Sequence, residues 1–125
     1  MKHLFTFLLS ALALQASAQT APSWTSAVNL PISPAFSIAP SFATDAAGNT
    51  YVAGSFAQSV TLAPGTVLTS QTFLNIPTED GVVAKYSPTG SLLWYRQLSG
   101  PLNESFQKVI VDASGKVMLM GVATD

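Results

Sequence analysis

The 125-residue chain contains no cysteine, which excludes disulfide bonds, thiolate nucleophiles, zinc ribbons and iron–sulfur ligation. Its one histidine is His3, so the commonest general base is missing from the rest of the chain. Charge is scarce as well: five Lys and Arg stand against six Asp and Glu, for a net charge of -1. A near-neutral balance gives no electrostatic basis for binding nucleic acid or an acidic membrane surface. There is no Gly-Lys-Ser/Thr phosphate loop and no Gly-x-Gly-x-x-Gly fingerprint. Nor does an apolar 3.6-residue period persist for three turns anywhere beyond residue 18, so amphipathic helices are not expected. Ser-His-Asp and Cys-His arrangements cannot be assembled without those residues. The expectation is a protein without catalysis of its own, without a cofactor and without a metal.

The N-terminus is what the chain does have in clear form. Met1-Lys2-His3 is a short positive start, Leu4 to Leu14 is an apolar run broken only by Thr6 and Ser10, and Ala16-Ser17-Ala18 supplies small residues before Gln19. This is the three-part pattern of a secretory signal peptide over residues 1–18. Eleven helical residues rise about 16 Å, roughly half a hydrocarbon core, which is too short for a stable span. Without a cysteine at the cleavage point a lipoprotein anchor is excluded. Cleavage leaves 107 residues with four bases (Lys85, Arg96, Lys108, Lys116) and all six acids. No second membrane segment follows, and the product is expected outside the cell or on its surface, with the periplasm as the other destination.

Residues 19–40 read as an extended leader rich in Pro, Ser and Ala, since Pro22, Pro31, Pro34 and Pro40 are too closely spaced for a helix. From residue 41 onward short β-like runs alternate with turn signals, so the fold class is all-β. Ser41–Thr44 is a candidate pairing strand. Thr50–Phe56, Ser59–Leu62, Val82–Tyr86, Leu92–Gln97, Phe106–Val111 and Lys116–Val122 are the main candidates. Alternation puts Val82, Ala84 and Tyr86 on one face and Val83 and Lys85 on the other. The same rule sets Phe106, Lys108 and Ile110 against Gln107, Val109 and Val111. The stretch between Leu62 and Asp80 is expected to be a loop or irregular strand, with Val67–Thr69 and Thr72–Leu74 as its strand pieces.

The turns carry a mechanism. Ser87-Pro88-Thr89-Gly90 places Pro and Gly where a type I turn favours them. Asp45-Ala46-Ala47-Gly48 and Asp112-Ala113-Ser114-Gly115 both set Asp first and Gly fourth, and an Asp carboxylate there can close an Asx-turn. Each turn would join two antiparallel strands. The two Asp turns also begin a repeat: residues 45–54 align without gaps to residues 112–121, 67 residues later, with Asp45/Asp112, Ala46/Ala113, Gly48/Gly115 and Gly54/Gly121 identical. Self-similarity of all-β units at a fixed period signals radial or solenoid repetition.

The string Asp45-x-x-Gly-Asn-x-Tyr-Val-x-Gly54, followed by Asp80-Gly-Val-Val-Ala-Lys-Tyr-Ser-Pro-Thr-Gly-Ser-Leu-Leu-Trp94, resembles the bacterial SBBP-type repeat, a family named for seven-bladed β-propellers. The resemblance covers residues from about 41 to 121. Two positions depart from it: Ser87 stands where the family often has an acid, and Lys116-Val117-Met118 replaces Asn49-Thr50-Tyr51. The resemblance implies four-stranded antiparallel blades in a secreted or surface scaffold. Unit one would span about 41–97 and a partial unit two about 106–125, within a repeat region of 41–125. About one and a half blades cannot close a ring. A fragment truncated at its C-terminus is therefore expected, with the remaining blades or copies of itself as partners.

Candidate site residues are few. Asp45, Gly48, Gly54, Pro88, Gly90, Asp112, Gly115 and Gly121 are assigned to the repeat turns. An acid/base role for Asp45 with Asp112 is the weaker alternative, since turn geometry already accounts for both. Tyr51, Phe56, Trp94 and Tyr95 form an aromatic set that could stack on a sugar or peptide, although blade-to-blade packing explains at least one face of it more simply. Glu79-Asp80-Gly81 offers oxygen ligands but too few for calcium, and reads as a solvated turn. Ser105-Phe-Gln-Lys108 matches a Ser-x-x-Lys motif, but on a β-run rather than the helix that chemistry needs. Asn103-Glu104-Ser105 is a formal glycosylation sequon. The leading expectation is a secreted scaffold or binding module for an extracellular protein or glycan. Its alternatives are the N-terminal piece of a propeller enzyme acting on polysaccharide and a membrane-barrel fragment. The barrel would need strands near ten residues, against five to seven here.

Overall fold

In the computed structural model the described residues are Pro40 to Thr124, with Ala27, Asn29, Leu30, Ile32 and Phe36 upstream. The expected signal peptide over 1–18 and most of the leader lie outside them. The chain folds into ten strands: β1 (Ser41–Thr44), β2 (Thr50–Ala57), β3 (Ser59–Ala63), β4 (Thr66–Thr69), β5 (Thr72–Phe73), β6 (Ile76–Pro77), β7 (Glu79–Tyr86), β8 (Leu92–Leu98), β9 (Glu104–Val111) and β10 (Val117–Ala123). No helix forms among the described residues, and all pairings are antiparallel. The fold is all-β.

Alternation in β2 and β7 organises everything else. These strands pair over their full lengths, from Thr50 opposite Tyr86 to Ala57 opposite Glu79, and lie at the centre of a four-stranded sheet of order β1-β2-β7-β8. Val52, Phe56, Val82, Ala84 and Tyr86 point to one face. Tyr51, Ala53 and Val83 point to the other. A sheet buried on both faces needs a cover for each. The first face is covered by Val60, Leu62 and Leu68 of the β3–β4 hairpin, joined by Leu30, Ile32, Phe36 and Leu92. The second is covered by the β9–β10 hairpin, through Val109 with Phe106, Val111 and Val117. Phe36 also lies directly over Gly54, where a Cβ would meet its ring at 2.7 Å.

Three ladders depart from simple alternation, two of them in the sheet and its covering hairpin. Lys85 faces Trp94 and Tyr86 faces Leu92, which leaves Leu93 without an opposite number. Leu92 therefore packs on the first face and Trp94 on the second, although only two positions separate them. Likewise Met120 faces Lys108 and Gly121 faces Phe106, with Gln107 as the extra residue. This corrects the expected grouping of Phe106 with Lys108 and Ile110: an inserted residue inverts the phase of a strand, and Phe106 joins Val109 and Val111 in the core. Gly121 permits it, because a Cβ there would collide with the Ser105 carbonyl.

Residues 58–78 form two ordered hairpins, in which the expected pieces Ser59–Leu62, Val67–Thr69 and Thr72–Leu74 fall in or overlap β3, β4 and β5. Gln58, at φ 66°, turns the chain out of β2. Its N–H donates to Ser70 Oγ and its carbonyl accepts the Ser70 N–H, both at 2.9 Å, closing the base of β3–β4. Thr78 N–H and Oγ1 both donate to the Gln71 carbonyl and close the base of β5–β6. Leu62 is bulged out of the β3–β4 ladder, and its carbonyl accepts the buried Tyr86 hydroxyl at 2.9 Å. Burial pushes the Tyr86 phenol up to about 12. At the β5–β6 tip Leu74 and Asn75 have φ of 50° and 65°. Two consecutive positive values are those of a type I′ turn, which favours Asn-Gly. A leucine there is strained.

Two substitutions follow from this geometry. Tyr86→Phe should lower stability by about 1–3 kcal/mol, since the buried Leu62 carbonyl loses its donor; an unchanged urea midpoint would refute the role of that bond. Leu74→Asn should raise stability by roughly 1 kcal/mol by relieving αL strain at an exposed site, visible as a higher Tm.

Candidate functional site

The hairpin turns share one hydrogen-bond scheme. In the β1–β2 turn the Gly48 N–H donates to the Asp45 carbonyl and the Asp45 N–H to the Asn49 carbonyl, each at 3.0 Å. Asp45 Oδ1 accepts the N–H groups of Ala47 and Asn49. The β9–β10 turn reproduces this, with the Gly115 N–H on the Asp112 carbonyl and the N–H groups of Ser114 and Lys116 on Asp112 Oδ1. The β7–β8 turn repeats it with a hydroxyl, Ser87 Oγ accepting from Thr89 and Ser91 N–H. Gly48, Gly90 and Gly115 lie at φ of 79°, 85° and 82°, the left-handed position of a type I turn with a G1 bulge. Pro88 sits beside Gly48, its Cγ 3.5 Å from where a Cβ would be.

Asp45 also anchors a polar cluster. Its carboxylate accepts both Oδ bonds from Asn49 Nδ2 and a bond from the Tyr51 hydroxyl, and pairs with Lys85 Nζ at 3.0 Å. Lys85 in turn lies 4.8 Å from the centre of the Tyr51 ring, a cation–π contact. Tyr51 meets Trp94 edge-on at 5.9 Å. The Asn49 amide, then Lys85 and the remaining donors, hold the Asp45 carboxyl far below the ordinary carboxylate range. Asp112 is lowered too, first by Ser114, but has neither an amide like Asn49 nor a cation on it. Asp45 and Asp112 thus lie in separate turns, each bonded within its own turn, with Tyr51 and Lys85 added at Asp45.

A second polar group ties the inserted hairpins to the sheet. Asp80 is fully buried, and its oxygens accept Gln71 N–H at 3.1 Å and Gln97 Nε2 at 2.6 Å. Gln97 Nε2 also donates to the Thr69 carbonyl. Asp80 is therefore a buried anchor, in contrast to the solvated turn expected for Glu79-Asp80-Gly81. Asn103 Oδ1 accepts the Glu79 N–H and the Asn103 carbonyl accepts from Thr124. Glu104 is buried beside Gly100, and its Oε2 has no partner. Among the described residues no group of three His, Cys, Asp or Glu could hold a metal ion. Ser105 and Lys108 sit on strand β9.

The aromatic set is divided by the sheet. Tyr51 and Trp94 meet on the β9-covered face, whereas Phe56 is fully buried on the opposite face. Trp94 and Tyr95 lie on the outer strand β8 but on opposite faces, Trp94 opposite Lys85 and Tyr95 opposite Ala84, and the Tyr95 ring is exposed. Sequence reasoning missed the other exposed feature, the β5–β6 tip, where Phe73, Leu74 and Ile76 all stand out in solvent. Its signal was the apolar Phe73-Leu74 before Asn75, in a turn sequence without Gly.

No protein-family model, no curated protein and no solved structure matches the chain.

The Asp45 cluster sets a pH dependence. Because its folded-state pKa is depressed, its contribution is complete above the ordinary carboxylate value of about 3.9 and is lost as pH falls below it. Lys85 is raised by the Tyr51 and Asp45 bonds, so its contribution is lost only at alkaline pH above its ordinary value. Asp45→Asn should therefore lower the urea midpoint at pH 7 and narrow its difference from wild type at pH 2. A constant difference across that window would refute the assignment.

Proposed function

We propose that the chain is part of a secreted or cell-surface β-propeller, a non-catalytic scaffold that binds an extracellular protein or glycan. The observation that carries this is the hairpin repeat: two Asp-turn hairpins 67 residues apart, with the second laid against the face of a four-stranded antiparallel sheet that contains the first. That is how blades cover one another in a propeller. The SBBP-type resemblance and the N-terminal secretory pattern support the same reading. So does the chemistry, since the acids in the turns and under the inserted hairpins are occupied by structural bonds.

Binding falls to what the sheet leaves exposed. The Phe73-Leu74-Ile76 tip suits an apolar pocket on a protein, and its strained turn is the kind of feature that persists where it serves a contact. The exposed ring of Tyr95 on the outer strand β8 suits a sugar ring, for which an aromatic face supplies the stacking surface. Binding of the labelled protein to intact cells and to a panel of polysaccharides tests this. Replacing Phe73, Leu74 and Ile76 with Ser should abolish protein-dependent binding, and Tyr95→Ala should weaken glycan binding at least tenfold. Binding unchanged by both variants, or absent from every surface and glycan, would overturn the proposal.

A further inference from the structure

The four-stranded sheet ends on β8, and among the described residues no strand pairs with its far edge. The next strand, β9, turns away from that edge and packs across the second face. The described residues upstream of the sheet lie elsewhere too: Phe36 bridges Phe56 and packs with Leu30 and Ile32 on the first face. On an outer strand every second residue turns its N–H and C=O outward, a template for a further strand. One such group is marked by its partner, since the Tyr95 carbonyl accepts Arg96 Nη1 at 2.8 Å. A side chain thus caps an acceptor that the sheet leaves open. The opposite edge, β1, has four residues, whereas β8 has seven, with no proline and Arg96 as its one charge.

The strand Leu92-Leu93-Trp94-Tyr95-Arg96-Gln97-Leu98 is complementary to itself. Laid antiparallel on a second copy about Tyr95, it sets Tyr95 opposite Tyr95 and, on either side, Trp94 opposite Arg96. The faces agree, because Trp94 and Arg96 are two positions apart and share one face while both Tyr95 rings share the other. An Arg guanidinium against a Trp ring is a favourable cation–π pair. The neighbouring registers are poorer. Pairing about Arg96 opposes Arg to Arg, and like charges directly opposite destabilise a ladder. Pairing about Trp94 brings the bulge at Leu93 into the new ladder.

We propose that two copies of the chain join edge to edge through β8, antiparallel about Tyr95, so that two four-stranded sheets become one of eight strands. Each Tyr95 N–H donates to the Tyr95 carbonyl of the other copy, and Arg96 leaves that carbonyl for the Trp94 ring opposite it. Main-chain bonds supply the affinity, as in other strand additions, and the Arg96–Trp94 pairs fix the register. The same edge serves both copies, so the contact is isologous and closes at the dimer. This goes beyond the binding-module reading and does not rest on it. Side chains stand roughly perpendicular to a sheet, so edge pairing leaves the Tyr95 ring open to a sugar.

Sedimentation of the full chain over a range of concentrations tests the proposal: the mass should double and rise no further. Tyr95→Pro should hold it at one chain, because proline removes an outward N–H and is tolerated on an edge strand; circular dichroism should show its strand content unchanged. The chain has no cysteine, so Tyr95→Cys probes the register. Residues directly opposite in such a pair have Cα atoms about 5.5 Å apart, within reach of a disulfide. Mild oxidation should link Tyr95→Cys into dimers at least tenfold faster than Lys116→Cys, an exposed position in the β9–β10 turn. A wild-type chain that stays monomeric at every concentration overturns the dimer, as does a mass that climbs past two chains. Equal cross-linking rates for the two cysteine variants overturn the register. Should Tyr95→Pro lose its strand content, the wild-type mass and the cross-linking rates still decide. A monomer that binds cells or glycan sinks this inference and leaves the binding-module reading standing, and a dimer that binds neither does the reverse.

Discussion

The structure depends on covering both faces of the β2–β7 pair. These strands alternate apolar residues to both sides, so neither face can be left to water. One side is sealed by a hairpin inserted between the two strands, and the other by a hairpin that follows the sheet. Burial of Val52, Phe56, Val82 and Tyr86 on one side and Tyr51, Ala53 and Val83 on the other accounts for most of the core. At about 1.5–3 kcal/mol for each fully buried large apolar side chain, this burial is the main stabilising contribution. Cover on the second face comes from a hairpin that is itself a partial copy of what it covers. The architecture therefore has a direction, and that direction distinguishes its two ends.

Polar groups work in support of this packing. Asp45 and Asp112 close turns, and Asp80 fastens the inserted hairpins through Gln71 and Gln97. The carboxylates thereby place the exposed features: with its base held by Thr78, the β5–β6 hairpin can project Phe73, Leu74 and Ile76. Ser87 performs the same N–H acceptance with a hydroxyl that Asp45 performs with a carboxylate. The turn needs an acceptor atom at that position more than it needs a charge.

The strands were legible because period-two alternation and turn residues act over neighbouring positions. Ser41–Thr44, Val82–Tyr86 and Leu92–Gln97 all fall within observed strands. Alternation misled only where a bulge intervened, at Gln107, which turned Phe106 inward. A bulge depends on what the opposite strand presents, here the Gly121 backbone, and no local pattern contains that information. The aromatic set is divided for a related reason. Tyr51 and Phe56 are five positions apart on one strand, an odd interval that sends them to opposite faces. In the inserted hairpins the pieces Ser59–Leu62, Val67–Thr69 and Thr72–Leu74 overlap observed strands, but Ile76–Pro77 escaped notice because the Leu74-Asn75 turn before it lacks the usual glycine.

By itself the sequence determined the all-β class, most of the strand positions and three of the turns, since backbone preferences and side-chain alternation are set by adjacent residues. Tertiary structure decided which faces meet and where strands slip by a residue. It also decided that Asp80 is a buried anchor, and that Trp94 joins Tyr51 on one face while Phe56 lies on the other. These outcomes rest on contacts between residues distant in the chain, whose geometry exists only once the sheet has formed.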